Sequence, residues 1–276
     1  MSLNRRGAGL VELLVALTVS AVLALLVWQI LAAAAERLRD RSESIALEHA
    51  LRVGATGLRS ALEPLGADSG AGSDLLSEAP DRILVRAARG AGVACSVTGT
   101  ALTVRLGEGW WAAVRDPVPG RDSLLVDAVT SPPRWYVLAL ASAPRPGPCP
   151  DGGAGMVLPA DIPPARLAEV GVGSPVRVFE DVELRLYASA AAAWIGLRNV
   201  ATGEAIQPLA GPFAAGGLRL DFLARNGGPA SGPGEVVSIR STLAALSERA
   251  GGVGLARGHS GRPDSVALDI LRRSPP

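Results

Sequence analysis

Arg5-Arg6-Gly7-Ala8-Gly9-Leu10-Val11-Glu12-Leu13-Leu14-Val15-Ala16-Leu17 is the stretch that decides how the rest of the chain is read. Two arginines precede a glycine, and an apolar run follows that carries one acid, Glu12, five residues past Gly7. Between Leu10 and Ala35 the only polar side chains are Glu12, Thr18, Ser20 and Gln29. That run exceeds the ~20 residues needed to cross the hydrocarbon of a bilayer. A carboxylate costs roughly 2.5–3.5 kcal/mol at the centre of a membrane helix and less near the interface, so Glu12 asks for a reason. A secretory signal peptide would stop after roughly 7–15 apolar residues at a small-residue cleavage site. This run is longer and flows into a charged helix. A plain single-pass anchor fits the length but leaves Glu12 unexplained.

Working outward, neither glycine nor proline interrupts Leu10 to Val53, which predicts a helical rod on the order of 65 Å. Beyond Ala35 the character changes to Glu36-Arg37-Leu38-Arg39-Asp40-Arg41, and Glu48 and Arg52 stand at the favourable i,i+4 spacing. Leu47, Leu51, Leu58, Leu62 and Leu65 then follow a helical stripe. The helix is therefore expected to leave the membrane, become amphipathic, and lay its apolar face on a globular body, with Pro64 and Gly66 ending it. Arg5 and Arg6 lie before the apolar run and Arg37, Arg39 and Arg41 after it, so counting arginines does not fix the orientation.

The remaining sequence reads as a loop-rich body of short strands. Its chain of 276 residues, 48% hydrophobic and 19% charged, can hold one large or two small domains. A net charge of +1 argues against a general electrostatic grip on nucleic acid. All basic side chains except two histidines are arginine, a mark of genome composition. Strands are expected at 82–86, 101–106, 110–115, 123–129 and 135–140, separated by turn signals. The clearest is 176–187, with 194–199 as a hairpin partner, then 218–222, 237–246 and 266–271. Residues 67–80 read as a loop and 143–155 as an irregular Pro/Gly segment. The class is α+β: a long N-terminal transmembrane and amphipathic helix packed on an antiparallel β-rich body.

Chemistry is sparse. Ser123 and the group His259, Asp264 and Ser265 lack the G-x-S-x-G elbow of a hydrolase. Strand alternation sends Asp181 and Glu183 to one face and Glu180 to the other, so these acids do not converge on one ion; a solvated edge is the expectation. The pairs Gly152-Gly153 and Gly251-Gly252 lack the context of a phosphate loop. Trp110, Trp111 and Trp135 could line a binding groove, but buried strand residues are the expectation. No catalytic residue, cofactor or metal site is expected. Cys95 and Cys149 belong to no CxxC pattern; in an exported body they can pair, which stabilises by about 4 kcal/mol on the chain-entropy account, while two buried thiols are the alternative.

The N-terminal stretch resembles the class III signal of type IV pilins and type II secretion pseudopilins. That resemblance implies cleavage by prepilin peptidase between Gly7 and Ala8, methylation of the new terminus, and Glu12 as the fifth residue of the mature chain. Ala8 stands where phenylalanine is usual, and Gly9 where threonine or serine is usual. Farther along, Gly217-Leu218-Arg219-Leu220-Asp221-Phe222 and Val236-Val237-Ser238-Ile239-Arg240 resemble the second half of PilW-like minor pilins and J-type pseudopilins. Together these imply a leader at 1–7, a transmembrane and filament-core helix at 8–35, its amphipathic continuation at 36–65, and a periplasmic β-rich domain at 66–276. They imply a structural subunit, not an enzyme, held in the inner membrane and then moved into a pilus or pseudopilus. Its implied partners are prepilin peptidase, other major and minor pilins or pseudopilins, and the inner membrane, with no nucleic acid bound directly. The rival expectation is a membrane-anchored periplasmic binding or enzymatic domain.

Overall fold

Helix α1 (Arg5–Leu62) runs unbroken for 58 residues. The computed structural model describes residues 5–66, 73–128, 130, 134–189, 192–245 and 265–271. Every side chain described from Gly9 to Ser42 is exposed. The body is met only from Leu47 and Ala50 onward, and Leu58, Leu62 and Leu65 are then fully covered. The helix also passes straight through Gly54 and Gly57. Each costs about 1 kcal/mol of helix propensity against alanine, and the sheet explains their presence. A Cβ on Gly54 would lie 2.7 Å from Phe213 Cζ, and one on Gly57 2.9 Å from Leu209 Cδ2. The two glycines let the helix approach the sheet more closely than any side chain would allow. After Pro64 the chain is caught by Asp74, whose Oδ2 accepts the Gly66 N–H at 2.8 Å and a hydrogen bond from Arg177 Nη2 at 2.9 Å.

Among the described residues thirteen strands follow, every pairing antiparallel: β1 (Leu75–Ala79), β2 (Arg82–Thr98), β3 (Ala101–Arg105), β4 (Trp111–Ala113), β5 (Ser123–Ala128), β6 (Arg134–Ala139), β7 (Arg145–Pro148), β8 (Ala154–Pro159), β9 (Pro175–Ser189), β10 (Ala192–Asn199), β11 (Gln207–Leu223), β12 (Ser238–Ala245) and β13 (Ser265–Leu271). A single-turn helix, α2 (Pro164–Leu167), precedes β9. The sheet β13-β12-β11-β10-β9-β2, with β1 on β2, carries α1 against β11, β12 and β13. Leu58, Leu62, Phe213, Leu218, Leu220, Ile239 and Leu243 are among the side chains of the core between them. Alternation along β11 explains the packing: Leu218 and Leu220 turn inward, while Arg219 lies exposed.

The chain then builds a second lobe from the far halves of β2 and β9. β9 pairs with β2, β2 with β3, and β3 with β8. On its other side β9 pairs with β5, and β5 with β6. The bridge Leu140↔Ala160 joins the end of β6 to β8, so these strands close on themselves as a small barrel. Its interior is a separate core that includes Leu102, Val104, Leu124, Val126, Leu138, Leu158, Val176 and Val178. Leu102 and Val104 alternate inward on β3, as do Leu124 and Val126 on β5. Among the described strands, only β2 and β9 run through both lobes. At their crossing β2 bulges: Ala88 pairs Phe179 and Gly90 pairs Val178, leaving Arg89 out of register.

The expected α+β architecture is the observed one, and most expected strands lie within a residue or two of their predicted bounds. Besides β2, which runs on to Thr98 past the expected end at 86, and β11, which starts at Gln207 and not at 218, two expectations need correction. The loop expected at 67–80 contains β1, and the irregular segment expected at 143–155 contains β7 and the start of β8. In both places polar or Pro/Gly-rich sequence is held as strand by pairing to an apolar neighbour, β2 or β8.

Candidate functional site

The N-terminal stretch is helical from Arg5, so the Gly7–Ala8 bond lies inside the first turns of α1. Glu12 follows Ala8 by four residues, which places the two positions on one helical face a turn apart. The Glu12 side chain is exposed and makes no ion pair among the described residues. From Val11 onward the helix is long and apolar enough to cross a membrane. Past the end of the run, Leu38 and Ile45 continue its apolar exposure on the line of Leu31.

At ~100° per residue these three positions point about 180° away from Leu47, Gly54 and Leu58, which face the body. The rod thus has two apolar faces, one filled by its own sheet and one bare. Arg37 and Arg41 flank the bare face on one side and form no ion pair among the described residues, whereas Arg52 pairs with Glu48 at 2.6 Å.

The densest polar cluster lies in the body. Glu180, on β9 between the two cores, is only 2% exposed. Its carboxylate accepts hydrogen bonds from Arg89 Nε at 2.6 Å, Arg121 Nε at 2.7 Å, Arg115 Nη2 at 3.1 Å and Asn199 Nδ2 at 3.2 Å. Arg115 also grips Asp122 at 2.6 Å and 2.8 Å, and Arg121 reaches Glu204 at 3.1 Å. Three cations face three anions, so the cluster has no net charge left to hold an ion. Burial acts to raise the Glu180 carboxyl, but the hydrogen bonds from Arg121 and Arg89 outweigh it and hold the group below the ordinary carboxylate range. The hydrogen bond to Asp122 raises Arg115, and that to Glu180 raises Arg121.

The solvated edge expected for Glu180, Asp181 and Glu183 is therefore corrected. β9 is an interior strand, with Glu180 and Glu183 buried on opposite faces. Glu183 is bound by Arg198 and approached by Arg82 at 3.8 Å. Asp181 is pushed up by burial against an opposing pull from Arg86. The expected split of the three acids between two faces is what the strand shows. Their arginine partners were not legible, because they come from a bulge, two loops and a neighbouring strand.

Cys95 on β2 and Cys149 just past β7 are joined as a disulfide with Cα atoms 5.6 Å apart. It ties the β7–β8 turn to the barrel wall. Beside it runs an open groove of about 410 Å³ lined by Val93, Arg105, Trp110, Asp151 and Val172, among others. Trp110 is 48% exposed on a turn, with the Arg105 guanidinium 5.4 Å over its ring, which corrects the expectation of a buried side chain. Trp111 lies over Gly90 and Gly92, where a Cβ would meet its ring at 3.3 and 2.6 Å, and Trp135 is half-buried on β6. Ser123 is half-buried on β5 opposite Phe179. Of the group expected around His259, only Ser265 lies within the described residues, at the start of β13; Gly251-Gly252 lies outside them too. No cluster of metal-ligating residues occurs among the described residues.

Compared with known families, residues 2–28 match one described as the prokaryotic N-terminal methylation motif. No curated protein and no solved structure matches the chain. The N-terminal stretch is thus a type IV pilin-like signal, continuous with a helix able to cross a membrane once.

Proposed function

We propose that this chain is a minor type IV pilin or pseudopilin, a structural subunit cut by prepilin peptidase between Gly7 and Ala8 and then inserted into a filament. The observation that carries the reading is the methylation motif at residues 2–28 leading directly into a bare apolar rod whose body begins only at Leu47. A rod of that kind serves as membrane anchor before assembly and as filament core after it. The PilW-like and J-type spacing of 217–240, together with a barrel lobe grafted between β2 and β9, favours a specialised subunit over the repeating one. In this reading residues 1–7 are leader, 8–35 span the inner membrane, 36–65 continue the helix, and 66–276 are periplasmic.

The mechanism is electrostatic. Cleavage leaves a cationic amine on Ala8, and in the dry interior of a helix bundle Glu12 of one subunit neutralises the amine of its neighbour. Either charge alone there is costly, so the match fixes axial register while leucine and valine faces supply adhesion.

The deciding experiment is mass analysis of the N-terminus of the membrane-extracted protein from a host with a working processing peptidase. A start at Ala8, methylated on its amine, is the expected result. An intact Met1 or Ser2 start would overturn the reading in favour of a simple anchored domain. Glu12→Ala should leave processing intact and block incorporation into filaments.

A further inference from the structure

Leu38 and Ile45 are 66% and 67% exposed on a helix that has already left its apolar run. They fall on one line with Leu31 at intervals of seven residues, the spacing of a coiled-coil seam. Their own body cannot cover them, because it packs on the opposite side of the rod through Leu47, Gly54 and Leu58. Lipid suits them poorly, since Glu36, Arg37, Arg39, Asp40 and Arg41 surround Leu38.

Charge along the seam narrows the occupant. At ~100° per residue, Arg37 and Arg41 line one flank about 80° from the seam. Neither has an ion-pair partner among the described residues. Ala35, Ser42 and Ala46 line the other flank, with Arg39 as far from the seam there as Arg37 is on the first. The chain's own acids in this segment, Glu36, Asp40 and Glu43, lie on the far side of the rod from Leu38 and Ile45. A second copy docked in parallel through the same seam would set Ala35, Ser42 and Ala46 against the arginines and offer them no carboxylate.

We infer that residues 31–45 form a docking seam for the helix of a different subunit, one that runs parallel and carries an apolar seven-residue repeat flanked by aspartate or glutamate. This rests on the filament reading above and adds to it the identity of the neighbour: a sister chain of complementary charge, not another copy. The basic flank sets partner choice, and Leu31, Leu38 and Ile45 supply the contact.

The test uses the full-length protein in phosphatidylcholine nanodiscs with fluorescent helical peptides about three heptads long. One peptide has a leucine seam flanked by glutamate, one has the same seam flanked by lysine, and one has the sequence of residues 31–52. The glutamate peptide should bind about five-fold tighter than the lysine peptide, as two exposed ion pairs allow, and salt should erase the difference. Arg37→Glu with Arg41→Glu should reverse the preference. Leu38→Ala with Ile45→Ala should weaken both designed peptides, and neither pair of substitutions touches the packed face. Tightest binding by the 31–52 peptide, which would make a second copy the occupant, overturns the inference, as does equal binding of the designed peptides. Loss of the preference in discs containing phosphatidylglycerol also overturns it, by giving the arginines to lipid headgroups. Because the N-terminal mass is read separately, a chain that starts at Ala8 but shows no peptide preference defeats this inference alone.

Discussion

Arg89 and Glu180 meet where β2 and β9 pass from the helix-backed sheet into the barrel, with Arg89 Nε 2.6 Å from Glu180 Oε1. Arg89 can reach because the bulge lifts it out of register, and Glu180 sits between Val178 of one core and Val182 of the other. Arg115 and Arg121 come from the barrel side, Asn199 and Glu204 from the end of β10 and the turn after it. The pair is the centre of the joint between the lobes.

Removing that centre should be costly. Breaking a buried pair by deleting one partner typically destabilises by about 3–5 kcal/mol, since the other charges stay buried. Glu180→Ala should show this in the urea unfolding of the detergent-solubilised chain. Glu180→Gln, which keeps the shape and part of the hydrogen bonding, should lose less. An unfolding midpoint unchanged in both variants would mean that water already satisfies the arginines.

Adjacent residues should titrate in opposite senses. The Glu180 carboxyl is depressed in the fold, so its contribution is fully present above the unfolded value of about 4.3 and is lost as pH falls through the folded value. Asp181 is raised, so its contribution is greatest below the unfolded value of about 3.9 and is lost as pH rises through the folded one. Asp181→Asn should therefore be neutral or stabilising at pH 7, while Glu180→Gln destabilises there and flattens the acid limb. Thermal unfolding scans of both variants between about pH 3 and 7 check the signs.

Gly54→Ala sets helix propensity against packing. Alanine gains about 1 kcal/mol in the helix, but its methyl would sit 2.7 Å from Phe213 Cζ and 3.1 Å from Leu243 Cδ1, both on fully buried side chains. Overpacking of a dense core costs about 1–3 kcal/mol, so the net change should be destabilising. Phe213→Leu should recover part of the loss in the double variant, and a double-mutant cycle on unfolding free energies measures the coupling.

Ser241 on β12 is fully buried opposite Leu220, and its Oγ has no hydrogen-bond partner among the described residues. Replacing it with alanine removes an unsatisfied polar atom and leaves little space behind. The expected change in unfolding free energy is from zero to about 1 kcal/mol of stabilisation. A loss greater than that would reveal a bound water beneath the helix.

Reduction of Cys95–Cys149 should weaken the barrel more than the sheet under α1. The bond bridges a sequence separation of 54 that takes in β3, β5 and β6 of the barrel, and the loop-entropy account gives about 4 kcal/mol. Hydrogen exchange of the reduced chain should rise in β3, β7 and β8 before it rises in β11 and β12.

Periodicity made the rod, the stripe through Leu58 and Leu62, and the long central strand legible in the sequence, because each is a local pattern of apolar spacing. The motif around Gly7 and Glu12 was legible by its resemblance to a known signal carried on one short stretch of chain. The barrel was not. Its closure depends on one bridge, Leu140↔Ala160, and on β2 and β9 each continuing past a change of partner. Gly54 and Gly57 were equally opaque: in sequence they weaken a helix, and only Phe213 and Leu209 give them a purpose. Glu180 was visible as an acid, but its partners Arg89, Arg115, Arg121 and Asn199 share no local pattern with it.

Between Ala35, where the apolar run stops, and Leu47, where the body begins, about 18 Å of bare helix remains at ~1.5 Å per residue. On the proposed reading, in which the chain waits in the bilayer as a filament subunit, that stretch acts as a stand-off. The headgroup zone beneath the body stays clear, so several neighbouring rods can crowd together at the lipid surface before any of the bulky outer portions collide.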